Sequence, residues 1–405
     1  MLHSPSPIVR APIAPVLSRA AFGSRGDARA ALPALTDLHD TRLVTSGRVA
    51  LGLALRCAGV QPGDTVLIPS WHSLSMLGPV QDRGAAARFY RIGADTAPDL
   101  EHARGLLDPT VKALVVVHYY GFVQDLASAR AFCDAHGLAL IEDCAHAFFG
   151  ARDGHAIGAV GDYAIGSSMK FFPVYEGGCL ASARHPLDAV TLRGAGPGFE
   201  AKAMLATLET SFRHGRLPLL HALLRLPLAL KDRLWNAAKH RKTAPARSLA
   251  PESSDSGFGF DPWWLDRRAS LFSRLVQRLA SRARIVARRR ANYLRLQAAL
   301  GGLPGCRPLY PFLPDGVCPW QFPLLFTHAD TVFARLVAAG VPVVRFGHDL
   351  APEANDPQAL AFARNVLALP CHQELSDAEL TWIIERSRAA CEAGIGTEAG
   401  TRGDT

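Results

Sequence analysis

"GDYAIGSSMKFFPVYEGGCL", residues 161–180, is the stretch on which the fold turns. Lys170 stands in a run of small and apolar residues patterned as a buried strand and turn, and Glu176 and two glycines follow it. Burying an ammonium group is costly unless a partner holds it or a reaction uses it. A lysine in a low-dielectric pocket has a lowered pKa and becomes a nucleophile toward an aldehyde. A structural lysine with its stem along the core and its head in water is the other reading of the same residues.

Working outward, helix-like and strand-like segments alternate from residue 40 to 185 at the spacing of a parallel α/β sheet. "SGRVALGLALRCAGV" (46–60) is apolar at helical period, and "DLASARAFCDAHG" (125–137) is a helix closed by a glycine. "DTVLIPS" (64–70), "ARFYRI" (87–92), "VKALVVVHYYG" (111–121) and "LALIEDCAHA" (138–147) are strands. Polar groups at the carboxyl ends of such strands are where a ligand lies.

The alternation stops at about residue 195. "FRHGRLPLLHALLRLPLALKDRLWNAAKHRKTAPAR" (212–247) is leucine-rich and basic, and "SLAPESSDSGFG" (248–259) has linker composition. The basic part is expected to be helices packed on the core with a solvated cationic face, a membrane-surface patch being the alternative. Residues 265–300, rich in arginine with apolar positions at helical spacing, are one long helix or two. "WQFPLLF" (320–326) and "VPVVRF" (341–346) are strands of a small α+β domain, with helices at "HADTVFARLVAAG" (328–340) and after "LSDAEL" (375–380). The expected division is an arm (1–40), a large domain (41–265) with a basic insertion at about 200–250, a long helix and small domain (266–392), and a disordered tail (393–405).

The chain has 405 residues, 49% hydrophobic and 20% charged, which suits a large globular domain plus a smaller one. Its eight cysteines are scattered without a C-x-x-C pair, as reduced thiols are. Pro and Arg interrupt the N-terminal apolar residues and no clean apolar twenty occurs, so neither a signal peptide nor a spanning helix is expected and the cytoplasm is the expected compartment. A net charge of +8 suits an anionic partner without choosing one.

Three further motifs carry chemistry. "TSGRVAL" (45–51) is a Ser-Gly turn opening into a helix, whose N-terminal N–H groups and dipole either receive a phosphate or are merely capped. "IPSWHS" (68–73) sets Trp71 and His72 at a strand end, where they either stack on a flat ring or pack among themselves. "LALIEDCAHAFFGA" (138–151) ends an apolar strand on Glu142 and Asp143. A carboxylate there needs a cation or several donors, one established use being against the pyridinium nitrogen of pyridoxal phosphate; His146 follows three residues later.

In order and spacing these pieces resemble the DegT/StrS family of pyridoxal-phosphate-dependent sugar aminotransferases, of fold type I. "SGRVAL" is similar to its Ser-Gly-Thr phosphate loop, "IEDCAHAFFGA" to its Glu-Asp-x-Ala-Gln-x-x-Gly-Ala strand, and "SSMKFFPVYEGG" to its lysine segment, the step of six from Lys170 to Glu176 matching. "GVPVVRFGHDL" and "LALPCHQELSDAEL" resemble its C-terminal pieces. The resemblance implies an α/β fold with a mostly parallel seven-stranded sheet covered by helices, plus a small C-terminal domain. It implies that Lys170 carries pyridoxal 5′-phosphate covalently, that Asp143 pairs with the ring nitrogen, and that His146 stands where the family has glutamine near the phenolic oxygen. Ser46, Gly47 and Arg48 would serve the phosphate with Ser167 or Ser168, Trp71 or His72 would cover the ring, and Glu176 would shape the substrate side.

The implied activity moves an amino group from glutamate or glutamine to a nucleotide-linked keto sugar, in surface-polysaccharide or secondary-metabolite synthesis. An arginine-rich mouth would suit the phosphates. The implied assembly is a homodimer with shared active sites; neither metal nor nucleic acid is implied. Family members that dehydrate sugars replace the lysine by histidine, and Lys170 argues against that reaction; a silent regulatory relative is the remaining alternative. Two departures stand out. "GFGFDPWWLDRR" (257–268) lacks the asparagine of the family's Gly-x-Asn-x-Arg motif, and Arg48 replaces a small residue.

Overall fold

Strands buried along their whole length belong to a sheet covered on both faces, and Thr65–Pro69 and Tyr163–Ser167 are buried at every residue. The computed structural model describes residues 11–23, 32–239 and 260–399. In chain order the strands are β1 (Asp40–Val44), β2 (Thr65–Pro69), β3 (Ala86–Tyr90), β4 (Val111–Val117), β5 (Ala139–Cys144), the hairpin β6 and β7 (Ala151–Arg152 and His155–Ala156), β8 (Tyr163–Ser167), β9 (Gly178–Ser182), β10 (Cys306–Pro308), β11 (Gln321–Phe326) and β12 (Val366–Pro370). The helices are α1 (Gly47–Cys57), α2 (Leu77–Asp82), α3 (Leu100–Gly105), α4 (Ala127–His136), α5 (Pro197–Arg213), α6 (Pro218–Lys239), α7 (Leu271–Leu279), α8 (Arg282–Leu300), α9 (Ala329–Ala338), α10 (Pro357–Asn365) and α11 (Asp377–Ala399).

Seven strands form the main sheet in the order β1-β9-β8-β5-β4-β2-β3. Pairing is parallel from β3 through β2, β4 and β5 to β8, and antiparallel at β8–β9 and β9–β1. This is the mostly parallel α/β sheet expected from the alternation of strands and helices. The second sheet, β10-β11-β12, is antiparallel and builds the smaller unit with α9, α10 and α11.

Several local expectations change. Of the two readings of 265–300, one helix or two, the second holds, because Ala280 is extended and Ser281 caps α8 by accepting the Arg284 N–H. "VPVVRF" keeps only a single bridge, Val344 to Ala368, and otherwise runs irregularly along a cavity. β4 stops at Val117 because Tyr120 turns to φ 54°, a conformation that non-glycine residues adopt at a cost. α11 continues to Ala399, where a tail was expected from 393; residues 400–405 lie outside the described residues. So do residues 1–10 and 24–31 of the arm, and 240–259 of the basic stretch and linker.

Candidate active site

β4, β5 and β8 are adjacent parallel strands, so their carboxyl ends open side by side. The start of α1 is drawn against this edge by glycine. A Cβ on Gly178 would lie 2.3 Å from the carbonyl carbon and oxygen of Ser46, so only glycine lets β9 approach the Ser46–Gly47 backbone. The Gly177 N–H donates to the Thr45 carbonyl at 2.9 Å, joining "TSG" to "EGG". Ser46 Oγ accepts the Val49 N–H at 3.2 Å and caps α1. The other N–H groups of the first turn have no helical acceptor and suit an anion.

An inner cavity lies at this edge, lined by Ser46, Gly47 and Arg48 from the start of α1, Asp143 and His146 from the end of β5, and Ser167 and Lys170 after β8. An outer cavity is lined by Ile13 and Ala14 of the arm, Trp320 and Gln321 of the second sheet, and the run Val344–Asp349. Ser73, Met169, Lys170 and Phe346 line both, so Lys170 sits at the neck between them. Its Nζ lies 4.5 Å from the centre of the Trp320 ring, within cation–π range.

The two carboxylates at the end of β5 part company through strand alternation. Glu142 is saturated: its oxygens accept the Gly158, Val160 and Gly161 N–H groups at 2.9, 2.9 and 2.6 Å and pair with His118 Nε2 at 3.0 Å. Asp143 faces the cavity with one N–H donor, Ala145 at 2.8 Å. Burial pushes its carboxyl above the ordinary range, while the Ala145 N–H and the Lys170 charge pull it down. His146 is buried and stacked on Trp320 at 3.9 Å, and its Nδ1 has no hydrogen-bond partner. Burial, and secondarily the charge of Lys170, holds this imidazole well below its ordinary pKa, hence neutral.

These residues fit pyridoxal phosphate. An amine stands at the neck, a buried carboxylate awaits a cation, an unpartnered imidazole nitrogen awaits a polar group, and a helix start with Ser167 beside it awaits an anion. Of the two serines, Ser167 lines the cavity, while Ser168 is fully buried behind it with its N–H on the Gly177 carbonyl.

Other expected residues lie elsewhere. Trp71 and His72 do not line either cavity. Trp71 stacks on Tyr119 at 4.8 Å and donates to the Phe346 carbonyl at 3.2 Å; His72 stacks on Phe89 and bonds the Ser70 carbonyl at 2.9 Å. Both are fully buried under the residues that follow β2, so Ser73 and Ser75 reach the cavity instead. Glu176 is also buried away from both cavities. It accepts the Ser270 N–H and hydroxyl at 3.0 and 2.8 Å and anchors the start of α7, and burial raises its pKa to about 7.

Residues from distant segments complete the site. Arg289 is fully buried on the apolar stripe of α8, among Ile285, Val286, Tyr293 and Leu296. It donates to the Lys170 carbonyl at 2.7 Å, to the Pro319 and Trp320 carbonyls at 3.1 Å, and to Gln373 Oε1 at 2.8 Å. Gln373 in turn donates to the Phe171 carbonyl at 2.8 Å, so the backbone beneath Lys170 is clamped. A polar residue on an apolar helical stripe is the sequence signal that marks Arg289. Among the described residues the mouth is not arginine-rich as expected: Arg345, which lines the outer cavity, is paired with Asp330 at 2.7 Å. The other arginines of α8 reach Asp37, Glu374, Asp377, Asp315 and nearby carbonyls instead.

Comparison with known proteins agrees with this geometry. The model of the DegT/DnrJ/EryC1/StrS aminotransferase family matches residues 34–196. GDP-perosamine synthase of Vibrio cholerae is 36% identical over 130 residues, 32% of this chain and 35% of that protein. L-glutamine:2-deoxy-scyllo-inosose aminotransferase of Streptomyces kanamyceticus is 36% identical over 143 residues, 34% of this chain and 33% of that protein. The chain thus aligns with about a third of the length of these relatives. A dTDP-3-amino-3,4,6-trideoxy-alpha-D-glucose transaminase of Streptomyces venezuelae is 26% identical over 86% of this chain and 82% of its own length. Among solved structures, the aminotransferase TlmJ of Streptoalloteichus hindustanus superposes with a TM-score of 0.61 at 24% identity, covering 87% of this chain and 86% of that one, which shows the same fold.

Proposed function

We propose that the chain, whose residues 34–196 match the model of the DegT/DnrJ/EryC1/StrS aminotransferase family, is a pyridoxal-phosphate-dependent aminotransferase of that family. Its amino donor is glutamate or glutamine and its acceptor a keto sugar, nucleotide-linked, serving polysaccharide or secondary-metabolite synthesis. It works in the cytoplasm as a homodimer. The observation that carries the proposal is the meeting of Lys170, Asp143, His146, Ser167 and the start of α1 on one cavity wall.

When bound, pyridoxal phosphate supplies an electron sink for the negative charge that develops at the donor's α-carbon. Lys170 would hold it and would be the base that takes the α-proton and returns it, since among the described residues it is the one lysine that lines both cavities. The Asp143 carboxylate holds a proton on the ring nitrogen, and the positive charge met there relieves the burial that raises its pKa. His146 gives its unpartnered Nδ1 to the phenolic oxygen while Trp320 fixes the plane of the imidazole. Met169 and Phe346 narrow the neck and keep water from the reacting atoms. Glu176 acts at a distance, by anchoring α7.

The test is spectral and chemical. The purified protein should take up pyridoxal phosphate, lose its visible band on addition of glutamate or glutamine, and yield the cofactor fixed on Lys170 after borohydride reduction. A screen of nucleotide keto sugars then identifies the acceptor. Failure to take up the cofactor, with Lys170→Ala indistinguishable from wild type, sinks the proposal.

A further inference from the structure

The chain's entire net charge resides in one segment. From residue 210 to 251 there are nine lysines and arginines and one acid, Asp232, a net +8, which equals the +8 of the whole chain. The remaining residues are balanced, 35 cations against 35 acids. Within the segment lies α6, and its described part is held by a narrow contact. Leu220, Leu224 and Leu228 rest on the core together with Leu217.

On another side of α6, Leu219, Leu223 and Leu226 are 80%, 75% and 80% exposed. Steps of four and three place them on one face, one turn apart. A solitary exposed leucine is ordinary; an aligned stripe of three on one helix face is not. Where composition led to a solvated cationic face, the described part of α6 thus carries an apolar stripe within a segment of net +8.

Charge and apolarity together select the occupant. A second copy would bring +8 against +8. A nucleic acid would pair with the cations and leave the leucines in water. An anionic bilayer takes both, and no helix among the described residues is long and apolar enough to cross it. We propose that α6 docks the protein flat on an anionic lipid surface. Leu219, Leu223 and Leu226 enter the boundary between headgroups and acyl chains, and the segment's net charge of +8 is drawn to the lipid phosphates.

The experiment is co-sedimentation of the full chain with phosphatidylcholine vesicles prepared with and without phosphatidylglycerol. Binding is expected only with phosphatidylglycerol, weakening steeply as salt is raised. The triple variant Leu219→Ser, Leu223→Ser, Leu226→Ser should bind at least about tenfold more weakly. Its melting temperature, cofactor uptake and particle mass by light scattering should match wild type, which separates this inference from the aminotransferase reading. Absence of vesicle binding overturns the proposal. So does undiminished binding of the triple variant, or a particle mass that falls with the leucines, which would make a second copy the occupant.

Discussion

The wall behind Lys170 and the outer face of α6 are opposites in how they use cations and apolar groups. Behind Lys170, a fully buried guanidinium serves three carbonyls and an amide oxygen, and aromatic rings close the remaining space. On α6, three aligned leucines are left in solvent. A buried cation must have its donors satisfied, so the first region fixes one geometry. Exposed leucines carry no such demand, so the second contributes little to folding. Substitutions in the first region should therefore be costly and in the second nearly silent.

Lys170→Ala makes the largest break, with transamination falling about ten-thousandfold or more and no cofactor fixed by borohydride. Asp143→Asn keeps the shape and the acceptor oxygen but loses the charge, and the rate should drop by about a thousandfold with cofactor uptake retained. Arg289→Met leaves several buried oxygens without donors, a loss of about 4 kcal/mol in denaturant unfolding, with Lys170 reacting more slowly even where the protein is folded.

Glu176 offers a pH test of burial. Its folded pKa of about 7 exceeds the ordinary value of 4.5. The folded protein therefore holds a proton that the unfolded chain releases between those values, and the stabilisation is complete below 4.5 and lost as pH rises through about 7. Glu176→Gln should raise unfolding free energy above neutral pH by up to about 3 kcal/mol and change it little in acid, as thermal melts at the two extremes would show. At the small end, the three α6 leucine-to-serine changes should shift stability by no more than about 0.5 kcal/mol.

The same contrast explains what was legible in the sequence. Lys170, Asp143 and the start of α1 follow from local pattern, because strand ends and helix starts are set by neighbours in the chain. The choice between Glu142 and Asp143 is also local in principle, since alternation sends them to opposite faces. Trp71 and His72 were expected to cover the ring, but a strand-end motif does not say which of its side chains the next turn buries, and Tyr119 and Phe89 bury these two. Trp320, Phe346 and the clamp of Arg289 and Gln373 come together only through tertiary packing. The family asparagine is missing from 257–268, while Arg48 and Ser167 line the inner cavity beside the start of α1.

The neck at Lys170 divides the site by ancestry as well as by shape. All but one of the inner cavity's lining residues, Phe346, fall within the family-matched span 34–196. Most of the outer wall, Ile13, Ala14, Trp320, Gln321 and Val344–Asp349, falls outside it. The inner chamber is thus drawn almost wholly from the family-matched span and the outer one largely from other segments, so a library at Ile13, Ala14, Gln321 and His348, which leaves Trp320 and Phe346 in place, should change which molecules the outer chamber admits while sparing the wall around Lys170.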